Sequence, residues 1–366
     1  MSSSDITIRE VSISSPEGLL AAIPALLGFR PSLSLVILGL GYRTEVRMTL
    51  RYDLPDPAEH DLTEKIARHA ASVLSAQAME TAVAVGYGPG QLVTPAIDAF
   101  RNRAAAHAIR IQECLRAEDY RYWSCLCQDP ACCPPEGRSY NPDIGPADEA
   151  VITDRPVLAS RDALAETLAP VTGEAAESMQ AATRRAEERA ARIARRGGKA
   201  SARRRLVAAG LDAVAEAIGI YRDGGQFPSH DEPAWLSVVL KELRIRDDAW
   251  ARMDPGHRRA HLRLWTGMTR LARPGYIAPA ASLLAFTAWQ DGNGALAKIA
   301  LGRALEDDPQ YRMAQLLHVA IDSGAPPSLA RIPMSPEDVA ASYGEEKPED
   351  PGNGNGTGST AEVTPG

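Results

Sequence analysis

The sequence predicts an α/β N-terminal domain, a mixed sheet with packed helices, followed by an all-α helical domain with a tetratricopeptide-like hairpin. Three observations predict it. Strand-like apolar runs alternate with helix-period segments as far as Ser124; an aperiodic stretch rich in Pro, Gly, Asp and Cys covers 128–156; helical periodicity alone follows. The chain has 366 residues, and at about 150 residues per domain that length fits two domains. The expected division is an α/β domain over 1–150 that ends in a Cys-rich loop, a helical domain over 151–343, and a tail over 344–366. That tail has nothing to bury and is expected to be disordered.

Ser15-Pro16-Glu17 opens a short apolar helix, and Pro24 is expected to limit it, because an interior proline removes a backbone donor. Leu33 to Leu40 is almost continuously apolar and suits a strand buried on both faces. Val46, Met48, Leu50 and Tyr52 then alternate with polar residues, giving a half-buried strand that pairs with the first as a hairpin. Leu62, Ile66, His69 and Val73 share one face of a helix; Thr81 to Val85 is a strand; Val93, Ile97, Phe100 and Ala104 share one face of the next helix. Ile109 to Leu115 and Tyr120 to Ser124 complete the strands.

Beyond the loop, helices are expected over 174–196, 201–221, 233–244, 255–272, 278–290, 294–306 and 310–322. Asp254-Pro255 marks a start and Pro274-Gly275 a stop. Leu284, Ala285, Ala288, Ala297, Leu301, Ala304 and Pro309 match the small and apolar positions of one tetratricopeptide unit, although Ala288 replaces the large aromatic of its first helix.

Composition sets limits on function. Hydrophobic residues make up 45%, enough for a core, and the net charge of −7 argues against broad attraction to nucleic acid or anionic membrane. The opening MSSSDITIREVSISS has no basic-then-apolar signal pattern. The most apolar stretch, Leu19 to Leu40, is broken by Pro24, Arg30 and Pro31 and is no membrane span. A cytoplasmic location is therefore expected, with reduced thiols and no disulfide framework.

The most distinctive segment is WSCLCQDPACCPPEG, where four of the five cysteines lie within nine residues. The redox or metal candidates in it are Cys127, Cys132 and Cys133. Zinc prefers four tetrahedral thiolate or imidazole ligands from C-x2-C-like knuckles, but the spacings here are C-x-C and C-C, and adjacent cysteines are expected to diverge. Cys127 and Cys132 flank the turn-forming Asp129-Pro130 and are within reach of a disulfide, yet the C-x-x-C of thioredoxin-like sites is absent. Set against both, the cysteines are expected to be inert small hydrophobes packed between loop and sheet. No cofactor is expected; zinc is the alternative.

Three other motifs carry weaker chemistry. Gly86-Tyr87-Gly88-Pro89-Gly90 sits between a strand and a helix, the context for phosphate binding, but lacks both the dinucleotide and the P-loop pattern, so an ordinary turn is expected. His257 and His261 lie one helical turn apart with Arg258 where a zinc protease needs glutamate, and are expected as surface polar residues. The segment 184–205 holds nine arginines and Lys199 against Glu187 and Glu188, expected as a solvated helical face.

The stretches LLAAIPALLGFRPSLSLVILGL, AVAVGYGP, Tyr122-Trp123 through Cys127, Asp129, Cys132-Cys133-Pro134 and Gly137, and LAFTAWQDGNGALAKIALGRALEDDP resemble an uncharacterised bacterial family, domain of unknown function 4192. The resemblance covers most of the chain to about residue 340 and implies an actinobacterial source, with no activity to carry over. It also implies that Cys125 stands outside the family's cysteine pattern. The sequence lacks a complete catalytic constellation, and its helical domain is of a kind that presents a groove to a protein partner. A non-enzymatic binding or regulatory protein is therefore the first expectation. The alternatives are a thiol- or metal-dependent enzyme or redox sensor centred on the Cys-rich loop, and a nucleic-acid-associated protein acting through 184–205.

Overall fold

The computed structural model describes residues 15–41, 45–142, 156–195, 198–326 and 335–344; the opening segment, the Gly197 side of the Gly-Gly break and most of the tail lie outside them. Ser15 starts α1 (Pro16–Leu27), its side chain accepting the Gly18 N–H at 3.1 Å. The helix does not stop at Pro24. It runs on to Gly28, whose N–H donates to the Pro24 carbonyl from a left-handed φ of 79°. An interior proline costs about 3 kcal/mol. Burial of Leu20, Ile23 and Leu27 at about 1.5–3 kcal/mol each outweighs it.

The sheet has the order β2-β1-β3-β4-β5-β6, made of β1 (Ser34–Leu40), β2 (Val46–Asp53), β3 (Thr81–Tyr87), β4 (Arg110–Glu118), β5 (Arg121–Ser124) and β6 (Arg138–Ser139). Only β3 and β4 are parallel; the other pairs are antiparallel. Every residue of β1 is buried. Leu35 and Ile37 face α2 (His60–Ala76) and α3 (Gly90–Ala106), while Val36, Leu38 and Leu40 face α1. The strand alternates between two cores, hence its unbroken apolar run.

Two local expectations change. On α2, Thr63, Ala67, Ala70, Ala71 and Leu74 join Val73 in the buried face, while Leu62 is 42% exposed and His69 shares a 2.8 Å hydrogen bond with the Tyr52 hydroxyl. The alanines let the helix lie close to the sheet, so larger side chains move to its flanks. In addition, β6 lies inside the segment expected to be structureless, pairing Arg121 with Ser139 and Tyr122 with Arg138.

The rest is helical: α4 (Arg161–Glu166), α5 (Gly173–Arg195), α6 (Lys199–Arg222), α7 (Asp231–Val239), α8 (Leu243–Ala251), a 3-10 turn (Pro255–His257), α9 (Arg258–Leu271), α10 (Ile277–Gln290), α11 (Gly294–Asp307), α12 (Arg312–Asp322) and α13 (Pro336–Ser342). The single helix expected over 233–244 is a break between α7 and α8. The break leaves Leu243 53% exposed and carries Ile245 into the core, which a straight helix would not do. Helix α10 is buried all round from Ile277 to Trp289, and its N-terminus is capped from α11, where the Asp307 carboxylate accepts the N–H groups of Gly275, Ile277 and Ala278 at 2.5–3.0 Å. Ala288 packs with Ala297, Ala300 and Ala304 in one core, so α10 and α11 form a close helical hairpin. Such hairpins occur throughout all-α folds, so this one establishes helix pairing rather than a tetratricopeptide repeat.

The sheet and the helices also touch each other. Leu158 exchanges backbone hydrogen bonds with Gly28 and Arg30 at 2.9 Å, and Leu164, Leu296 and Ile299 pack onto the α1 side of the sheet. No helix among the described residues is long and apolar enough to cross a membrane.

Candidate functional site

The Cys-rich loop leaves the sheet after β5 and returns at β6. Ser124 Oγ anchors its start, accepting the N–H groups of Leu126 and Cys127 at 3.2 Å and donating to Glu113 at 3.3 Å. Asp129 then winds the chain into one tight helical turn. Its carbonyl accepts from Cys132 at 3.1 Å and Cys133 at 2.7 Å, and its carboxylate accepts the Ala131 N–H at 2.9 Å. Arg138 Nε donates to the Cys132 carbonyl at 2.8 Å, and Arg121 Nη1 donates to the carbonyls of Glu136 and Gly137 at 3.2 and 3.0 Å.

Trp123 supports the return. Its indole N–H donates to the Pro135 carbonyl at 2.8 Å, and the Arg116 guanidinium lies 3.6 Å from the ring centroid. Gly137 rests on that ring with φ at 76°, and a Cβ there would stand 2.5 Å from Trp123 Cε2. Arg116, Trp123, Asp129, Gly137 and Arg138 therefore shape the loop, and reading the cysteines by their spacing missed all but Asp129. The signal for the clamp was a glycine following two prolines, with a tryptophan before the first loop cysteine.

This scaffold brings Cys127, Cys132 and Cys133 together, with their sulfurs within 4.8 Å of one another. Cys132 is exposed and the other two are half-buried. Two expectations are thereby corrected. The adjacent Cys132 and Cys133 do not diverge, because neighbours in a helical turn are rotated by about 100° rather than set on opposite faces as in a strand. Nor are the three packed into a core. That description fits Cys114, buried in the sheet, and Cys125, half-buried against the same cluster as α3. Burial pushes the Cys114 thiol up to about 12 and raises Cys125 as well. All five cysteines are free thiols.

The three sulfurs form one electrostatic unit. The Asp129 N–H donates to Cys127 Sγ, and the thiols of Cys133 and Cys132 add to it, so Cys127 ionises more readily than an ordinary thiol. Cys133, as a donor to Cys127, is pushed up to about 12. Cys127 is thereby favoured as a thiolate, with the Cys133 S–H donating to it. A tetrahedral zinc with Zn–S bonds of about 2.3 Å places its sulfurs about 3.8 Å apart, so a contraction of about 1 Å closes this group onto a cation. Three sulfurs then fill three vertices and leave the fourth free for another donor.

The other sequence candidates do not join them. Gly86 and Tyr87 end β3, Pro89 caps α3, and the Gly88 N–H donates to the Ala117 carbonyl at 2.9 Å. In the arginine run, Arg185 pairs with Asp231 and Arg203 with Glu242, each at 2.5 Å, while Arg189 lies 4.0 Å from the Trp235 ring centroid. His257 pairs with Asp254 at 2.9 Å, but His261 is 1% exposed on the inner face of α9, which corrects its reading as a surface residue. Ala260, Leu264, Trp265 and Met268 share that face, and the helical period carries His261 inward with them.

The family described as Domain of unknown function (DUF4192) matches residues 16–328. The chain belongs to that family. No curated protein matches it, and no solved structure does.

Proposed function

Beyond membership of a family of unknown function, we propose that the chain is a binding protein in which Cys127, Cys132 and Cys133 hold a soft divalent cation, zinc foremost, at the edge of the sheet. The convergence of three sulfurs within 4.8 Å on a loop held by backbone and side-chain hydrogen bonds carries this reading. Packing does not account for an exposed Cys132, and a disulfide would use two of the sulfurs and leave the third without purpose. Thiolates are the ligands a soft cation selects, and the lowered Cys127 supplies the first. Cation binding displaces the remaining protons, coupling the site to pH. It also ties β6 to β5, closing the sheet's outer edge. The open fourth vertex fits a binding or regulatory role, since a donor from a ligand or partner completes the coordination.

The test is cobalt titration of the full chain after chelator treatment under reducing conditions. One cobalt per chain is expected, with thiolate-to-cobalt charge-transfer absorption that zinc abolishes. Cys127→Ser loses the signal and Cys125→Ser keeps it. The reading is overturned if the wild-type chain takes up no cobalt, if Cys125→Ser removes the signal, or if mass spectrometry of the native protein finds two of the three cysteines joined in a disulfide.

A further inference from the structure

The arginine-rich stretch shared by α5 and α6 is a second feature, independent of the cysteines. We propose that the tip of this helix pair docks on the phosphate backbone of double-stranded DNA. The stretch 184–205 carries nine arginines and Lys199 against Glu187 and Glu188, a local charge of +8. With −7 overall, the rest of the chain carries −15. That acidic remainder does not cancel the tip. The Debye length is about 8 Å at physiological salt, so an approaching polyanion senses the charges nearest to it. The remainder instead disfavours docking elsewhere on the surface.

Tertiary structure sorts the cations into two sets. Arg185 is held by Asp231, Arg203 by Glu242, Arg189 by the Trp235 ring, and Arg205 by Ser201 and the Ile193 carbonyl. Arg184, Arg192, Arg195, Lys199 and Arg204 are exposed and make no hydrogen bond or ion pair among the described residues. At about 100° and 1.5 Å per residue, Arg184, Arg192 and Arg195 share one quarter of the α5 circumference over about 16 Å. Helix α6 packs back along α5 and carries Lys199 and Arg204 in its first two turns. None of the described residues from Glu187 to Ser201 is buried, so the tip projects from the helical core. Duplex DNA presents one phosphate charge per about 1.7 Å of its axis, and a row of this length meets several of them.

The make-up of the tip selects this partner. A protein partner is held by an apolar and aromatic interface core. Among the described residues of 184–205, no large hydrophobic side chain is exposed. The exposed spacers are Ala194, Gly198 and Ala200, while Ile193 packs back against the helical core. A single strand is held by aromatic side chains that stack on its bases, and the stretch contains no aromatic residue. Free cations on a helical surface without either feature match the backbone of a duplex. The local acids do not neutralise them. Glu187 accepts the Tyr276 hydroxyl at 2.6 Å, which leaves Glu188 against five free cations.

The experiment is fluorescence anisotropy of a labelled DNA duplex of about 20 base pairs, longer than the row of cations, titrated with the full chain between 50 and 200 mM salt. Binding is expected at low salt and falls about a hundredfold across that range, the effect of three to five phosphate contacts. Arg192→Gln combined with Arg195→Gln is expected to weaken binding about tenfold or more at 50 mM salt and to flatten the logarithmic salt slope by about two. Arg204→Gln flattens it by about one. These side chains have no partner in the chain, so the melting temperature stays at the wild-type value. Arg68→Gln, which removes an exposed cation of α2, leaves binding unchanged, and so does Cys127→Ser, which separates this face from the metal loop. The proposal is overturned if no duplex binds at 50 mM salt, if the double variant binds as tightly as wild type, or if Arg68→Gln weakens binding as much as Arg204→Gln. A single strand or a duplex RNA that binds more tightly than duplex DNA also overturns it. Polyglutamate that displaces the duplex at equal charge concentration assigns the face to an acidic protein and overturns it as well.

Discussion

The shape of the cysteine loop turns on a contact between a backbone and a ring. Gly137 lies on Trp123 in a left-handed conformation, with no room for a Cβ. Gly137→Ala adds both a clash and backbone strain of about 1–3 kcal/mol. Neither cluster of the sheet core includes Gly137, so this variant is expected to fold with near-wild-type secondary structure by circular dichroism. The loop lifts from the indole and the three sulfurs spread. The expected result in a cobalt titration is affinity lowered about tenfold or more. Wild-type affinity would mean that the Asp129 turn alone gathers the cysteines. The sequence showed the cysteines and the turn-forming Asp129-Pro130, but spacing gave no sign of the clamp, because Trp123 and Gly137 are separated by the whole loop.

Among the elements, β3 and α3 approach each other closely. Gly86 is the strand residue over which α3 lies, and a Cβ there would stand 2.2 Å from Val93 Cγ1. The glycine-rich turn, expected as an ordinary strand-to-helix turn rather than a phosphate site, has a packing role at its first glycine: Gly86 serves the seating of a helix on a strand. Overpacking such a contact costs about 1–3 kcal/mol. Gly86→Ala is expected to lower unfolding stability by that amount in chemical denaturation. Combined with Val93→Ala, the loss is expected to be smaller than the sum of the two single losses, because the second change makes space for the first. Strict additivity would show that α3 shifts freely over the sheet. Strand periodicity and the buried face of α3 were legible because each depends on neighbours within one element. The face of α2 was misread because its alanines matter through what they permit, a short distance to the sheet, rather than through their own hydrophobicity.

For the whole molecule, the helical region carries a pH sensitivity at His261. Burial lowers its pKa below 6.5; the Asp254 charge opposes this, while His257 and Arg222 add to it. Neither ring nitrogen has a hydrogen-bond partner. The neutral form is favoured in the folded chain and the unfolded chain binds the proton more readily. This contribution to stability is therefore present above about pH 6.5 and is lost as pH falls through the lower folded value. His261→Leu is expected to reduce the drop in melting temperature between pH 7.5 and 5.5 measured by calorimetry. An unchanged drop would assign the acid sensitivity to other groups.

What the sequence determined by itself was the order and kind of most elements, the two-sided burial of β1, and the identity of the loop that sets this chain apart. Each of these is written in local periodicity or in a run of neighbouring residues. Tertiary structure decided which groups meet. It gathered Cys127, Cys132 and Cys133 while leaving Cys125 against the sheet, turned His261 inward, and set Tyr87 with Arg30 and Tyr140 around one cleft. Those outcomes depend on how one loop winds, how a helix rolls against its neighbours and which distant strands pair; periodicity sets His261 on the apolar face of α9, but its burial is completed by neighbours from elsewhere in the chain, which leave no periodic trace in sequence.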